Sequence, residues 1–108
     1  MPNYLLNPHM VAREIVRLIG QLTKRSEFKL QPYSNGDYAQ YCGVLCNLRI
    51  YMNDDNFWFD IWADNINFTI SFPIFSNIWK LSMDDFSEKL IVPLLYKKLE
   101  YYGYATWD

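Results

Sequence analysis

Between residues 8 and 24 the apolar positions recur at helical spacing. Val11, Ile15, Leu18, Ile19 and Leu22 fall on one side, with Arg13, Glu14, Arg17, Gln21 and Lys24 on the other. That pattern predicts an amphipathic helix over 8–24. Asn7 is placed to cap it, and Pro8 suits its first turn.

The period then changes to two. "SNGD" carries Asn35-Gly36, the preferred dipeptide of a type I′ hairpin turn, and predicts strands near 27–33 and 38–52. In the second of these, Val44, Cys46, Leu48, Ile50 and Met52 share a face. After the turn "NDDN" (53–56), Phe57, Phe59, Ile61 and Ala63 continue that face. Asp64-Asn65 predicts another tight turn, and Ile66, Phe68, Ile70 and Phe72 follow before Pro73 ends the pairing. Three consecutive strands with one unbroken apolar face predict an antiparallel meander. The first hairpin fits less well. Pairing across Asn35-Gly36 sets Lys29 opposite Cys42 and turns Phe28 and Leu30 away from the core, and a bulge at Gly43 would restore the register.

Residues 74–81 read as an apolar connection, a short strand or a turn. Ser82-x-x-Asp85 then resembles a capping box, with Asp84 and Asp85 at the positive end of a final helix. Phe86, Leu90, Leu94, Leu95 and Leu99 form its expected inner face. Lys97 and Lys98 suit its last turn, and Gly103 suits the residue beyond it. Pro93 should kink or split this helix near Val92. The expected fold is therefore α+β, a single domain over 1–108. Its order is α-β-β-β-β-α: a two-layer sandwich of a four-stranded antiparallel meander with the N- and C-terminal helices on one face.

The second face of that meander is less ordinary. The expected registers set Tyr51 opposite Trp58, Arg49 opposite Asp60 and Asn47 opposite Trp62. On the other side of the middle strand, Trp58 meets Ser71, Asp60 meets Thr69, and Trp62 meets Asn67. Leu45, Arg49, Tyr51, Trp58, Asp60 and Trp62 thus share a face that is too polar for the centre of a core. Three aromatic side chains of about 150–250 Å² each match or exceed the roughly 300–600 Å² of the largest apolar patch on a typical monomer. Trp and Tyr around an Arg is also the composition of interface hot spots. Two readings stand: a partner covers this face, or the tail "YYGYATWD" folds back over it with Tyr104 and Trp107.

Composition narrows the classes of function. Of the 108 residues 51% are hydrophobic and 19% aromatic, which excludes a disordered or low-complexity chain. No apolar run reaches the roughly 20 residues of a membrane span, and no signal peptide is visible, so the expected location is cytoplasmic. The net charge of -2 is unevenly spread. Residues 1–50 carry six Lys/Arg against three Asp/Glu, and residues 51–108 carry four against nine. The acidic half favours a basic protein partner over nucleic acid. Arg13, Arg17, Lys24 and Arg25 read as a solvated helix face. Cys42 and Cys46, on one expected strand, would lie about 13 Å apart and stay reduced.

Little points to chemistry. There is no phosphate-binding loop and no nucleotide fingerprint. His9 is the only histidine, too few for a zinc site with two cysteines. "NDDN" lacks the ligand alternation of a calcium loop. Asp60 and Asp64, roughly 13 Å apart along one strand, are too far apart for a glycosidase pair. No cofactor, metal or catalytic residue is expected.

A compact, acidic, aromatic-faced domain of this kind looks like toxin-immunity proteins and phage anti-defence proteins such as anti-CRISPRs. The likeness is one of type and size and covers no motif. It implies a small non-enzymatic inhibitor, monomer or homodimer, that occupies a partner protein with a basic surface, such as a nuclease. Arg49, Tyr51, Trp58 and Trp62 would anchor it. Asp54, Asp55, Asp60 and Asp64 would supply the complementary charge and steer association. The alternatives are a dimeric secretion-type chaperone that binds an extended client segment, and a small enzyme with an aromatic cleft.

Overall fold

The turn "NDDN" organises the sheet. Asp54 and Asp55 both have positive φ (52° and 58°), the left-handed pair a type I′ hairpin requires and one that aspartate tolerates better than most residues. Asn53 lies across from Asn56, and the register runs on through Tyr51–Trp58, Arg49–Asp60 and Asn47–Trp62. The Asn56 side chain closes the turn with a 2.7 Å hydrogen bond to the Asp54 carbonyl.

The structure is a computed structural model that describes residues 4–22, 31–35, 38–42, 47–63 and 66–103. For Leu22, Ala63 and the strands at 31–35 and 38–42 it describes the backbone. Helix α1 (Pro8–Leu22) is followed by strands β1 (Gln31–Asn35), β2 (Tyr38–Cys42), β3 (Asn47–Asn53), β4 (Asn56–Ala63) and β5 (Ile66–Pro73). A 3₁₀ turn (Asn77–Lys80) leads to α2 (Met83–Phe86), a π-helical turn (Ser87–Ile91) and α3 (Val92–Tyr101). The strands form one antiparallel sheet in the order β1-β2-β3-β4-β5. The α+β class and the meander are therefore as the sequence predicts.

The strand count is not. Residues 38–52 form two strands that pair with each other, Ala39 across from Ile50 and Cys42 across from Asn47. The chain reverses between 42 and 47, so the proposed Gly43 bulge and Cys46 lie outside the described residues, and the single-strand argument about the two cysteines loses its premise. The first hairpin also closes differently. Asn35 pairs with Tyr38 and Gln31 with Cys42, where pairing across Asn35-Gly36 would have set Lys29 opposite Cys42; residues 36 and 37 lie outside the described residues. Lys29, Phe28 and Leu30 lie outside the described residues, as does the Asp64-Asn65 turn, which Ala63 and Ile66 flank as a pair.

One core lies on one face of the sheet. Leu48, Ile50, Phe59, Ile61, Ile66, Phe68, Ile70 and Phe72 are buried together with Val11, Ile15, Val16 and Ile19 of α1 and with Phe86, Ile91, Leu95 and Leu99. Met52, expected on this face, is 64% exposed. Burial falls off toward the hairpin tip, and Phe57 is only half-buried. The connection after β5 contributes more than its sequence suggests. Trp79 is only 2% exposed, packs edge-on to Phe57 and Phe72, and meets Phe86 at 5.4 Å. Its carbonyl accepts from the amides of Leu5 and Leu6, which ties the segment before α1 to the core.

The helix ends follow their caps. The Met10 amide donates to Asn7 Oδ1 at 3.0 Å, and the Asp85 amide to Ser82 Oγ at 3.2 Å. Gly103 takes φ of 86° just past the last helix, and its amide bonds the Glu100 carbonyl at 3.0 Å. Between these ends, Pro93 does not stop the helix. The π turn immediately before it inserts one extra residue, and the Val92 amide reaches back to the Ser87 carbonyl. The buried apolar positions are accordingly Phe86, Ile91, Leu95 and Leu99, a step of five and then fours, with the small Ser87 also buried, while Leu90 and Leu94 are only partly buried. A uniform helical period cannot show that extra residue.

Glu14 is a second correction of phase. Expected on the outer side of α1, its side chain is 11% exposed. Arg17 grips it through Nε at 2.6 Å and Nη2 at 2.9 Å. This bond, aided by one from Ser87, holds the carboxyl below its ordinary value despite partial burial.

Candidate functional site

Alternation along β3, β4 and β5 sends every second side chain to the sheet's other face. There Arg49, Tyr51, Trp58, Asp60 and Trp62 are all half-buried. The Tyr51 and Trp58 rings stack at 6.3 Å with planes 8° apart, as their cross-strand pairing allows. The Arg49 guanidinium lies 5.4 Å from the centre of the Tyr51 ring, within range of a cation–π attraction. Its Nη2 donates to Asp60 Oδ2 at 2.7 Å. The other carboxylate oxygen, Oδ1, accepts from the Thr69 hydroxyl at 2.9 Å. Asp60 thus links three strands through one charge-assisted network.

The network has consequences for the anticipated patch. Trp58 turns its indole N–H to the Asn53 carbonyl at 2.8 Å, so its polar edge is satisfied within the hairpin. The stack covers part of each ring. Neither tryptophan is among the large hydrophobic side chains that stand exposed, a set that includes Leu5, Phe75 and Tyr101. The open aromatic area is smaller than the side-chain areas alone imply. Removal from water, with the negative charge of Asp60 nearby, raises the Tyr51 phenol above its ordinary value.

The eight residues singled out from sequence fall into three groups. Arg49, Tyr51, Trp58 and Asp60 form one contact network, and Trp62 continues the same face across from Asn47 and Asn67. Asp54 and Asp55 are exposed at the hairpin tip, next to the carbonyl that holds Trp58. Asp64, like Leu45 and the tail residues Tyr104 and Trp107, lies outside the described residues. Thr69 is an addition. Register placed it opposite Asp60, yet its hydroxyl is what engages the second carboxylate oxygen. Among the described residues no three His, Cys, Asp or Glu side chains gather as metal ligands, and no helix is long and apolar enough to cross a membrane.

Comparison with protein-family models, with characterised proteins and with solved structures gave no match.

Proposed function

We propose that this protein works by binding another protein through the second face of its sheet, as a small inhibitor of the immunity or anti-defence kind. The observation that carries this reading is the Tyr51–Trp58 stack crossed by Arg49 and braced by Asp60. The core on the opposite face does not need these rings. The Trp58 indole N–H is already satisfied by the Asn53 carbonyl, so this ring loses little on docking, which is what an anchor residue requires. Asp54 and Asp55 supply exposed negative charge at the hairpin tip and would steer the protein toward a basic partner surface. Asp60 serves differently. Its charge is committed to Arg49 and Thr69, so it orients the anchor and does not meet the partner directly.

The test compares the wild-type chain with a Trp58→Ser/Trp62→Ser variant by thermal melting, solution mass and affinity capture from a lysate. The expected result is a folded variant that no longer captures a protein the wild type retains, with Asp54→Asn/Asp55→Asn slowing association in a salt-dependent way. A variant that melts far lower yet captures the same proteins would assign the tryptophans to stability alone and sink the proposal.

A further inference from the structure

Among the described residues β5 is an edge strand, with a neighbour on one side only. The hairpin geometry decides which of its backbone groups face outward. Asn53 and Asn56 close the two-residue turn, so Asn56 directs its N–H and C=O toward β3. Direction alternates along a strand, so Phe57, Phe59 and Ile61 direct theirs toward β5, and their partners Phe72, Ile70 and Phe68 direct theirs back. Asn67, Thr69, Ser71 and Pro73 therefore form the outward row. Two side-chain contacts agree. The Tyr102 hydroxyl donates to the Asn67 carbonyl, and Trp79 Nε1 donates to the Pro73 carbonyl at 2.7 Å. Proline, which has no N–H to offer, also belongs in the row that forms no ladder bond.

Among the described residues the edge is thus capped at both ends and open between them. The N–H and C=O groups of Thr69 and Ser71 have no partner among the described residues. Beside them, between β5 and α3, runs a groove of about 550 Å³ walled by Phe68, Leu94, Lys97, Lys98 and Tyr101. Its lining holds two lysines and no acidic residue. An open strand edge is a template for an added strand, and the lysines state the charge that strand should carry. A second copy of the chain paired through the same edge would bring its own Lys97 and Lys98 to the same seam, which disfavours that occupant.

We propose that the edge of β5 takes up an extended acidic peptide segment as an added strand, whose carboxylates pair with Lys97 and Lys98. This edge uses the backbone of Thr69, whose hydroxyl braces Asp60 on the aromatic face, but it takes a different ligand and its test does not rely on binding at that face.

The test uses the full chain, isotope-labelled, with two eight-residue peptides that match β5 in length: alternating Thr and Glu, and alternating Thr and Lys. The acidic peptide should slow amide exchange at Thr69 and Ser71, and the basic one should not. Lys97→Glu/Lys98→Glu should weaken binding by about tenfold or more. N-methylating alternate residues of the acidic peptide should abolish binding in one of the two alternations and spare it in the other, because only one set of its N–H groups meets the edge. This last comparison leaves the protein untouched. No protection by the acidic peptide, or equal protection by both, overturns the proposal. So does protection already present in the free protein: if it grows with concentration, a second copy holds the edge, and if it does not, the chain covers its own edge.

Discussion

The two faces of β3–β5 are built from alternate residues of the same strands, yet they are stabilised by different physics. On one face Leu48, Ile50, Phe59, Ile61, Ile66, Phe68, Ile70 and Phe72 are at most 6% exposed and have no polar side-chain atoms to satisfy. Their stabilisation comes from removal from water and close packing, which depend on shape and the area covered. On the other face every large side chain is half-buried, and it is fixed by ring stacking, an indole hydrogen bond and an ion pair. Such a face can hold large rings in place without a second helical layer. The contrast separates a face that holds the fold together from one available for recognition.

The sharpest way to break this contrast is to truncate one aromatic on each side. Phe59→Ala should cost about 3–5 kcal/mol, as for a fully buried ring. Trp58→Ala should cost about 1–2 kcal/mol, since the ring is half-buried and loses one hydrogen bond. Urea unfolding of both variants measures the difference, and equal losses would make the second face a core. Next in size is the ion pair. Asp60→Ala strands the Arg49 guanidinium and the Thr69 hydroxyl and should cost about 1–3 kcal/mol. A double-mutant cycle with Arg49→Met should then return a coupling of about 0.5–1 kcal/mol that shrinks with added salt.

The smallest effect concerns the ion pair in the helical layer. Glu14 has its carboxyl held down in the folded state, chiefly by Arg17, so the folded protein binds that proton less readily than the unfolded chain. Its stabilisation is present above the ordinary glutamate value of 4.5 and is lost as pH falls through the lowered one. Glu14→Gln should flatten the acid limb by lowering stability slightly at neutral pH while leaving pH 3 nearly unchanged, as urea midpoints between pH 3 and 7 would report.

The sequence by itself determined what short-range periodicity encodes. The alternation through Leu48, Ile50, Phe59, Ile61, Phe68 and Ile70 set the core face. Once the Asp54-Asp55 turn was placed, that alternation also set every pairing of the candidate face, because a one-residue slip would turn the apolar set into water. Asn7, Ser82 and Gly103 marked helix ends through local hydrogen bonding that each residue type favours. Tertiary structure decided the rest. Residues 38–52 alternate plausibly as one strand, and only the pairing of Ala39 with Ile50 shows that the chain folds back on itself. Pro93 announced a fault in the last helix, but the extra residue that moves the buried position from Leu90 to Ile91 depends on packing against the sheet. Trp79 gave no periodic signal, since one ring in a connection has no neighbours to form a pattern. That Asp60 braces Arg49 and Thr69 at once, and that no described residue pairs with the backbone of Thr69 and Ser71, depends on groups brought together from different strands and helices. No pattern local to one stretch of chain carries that information.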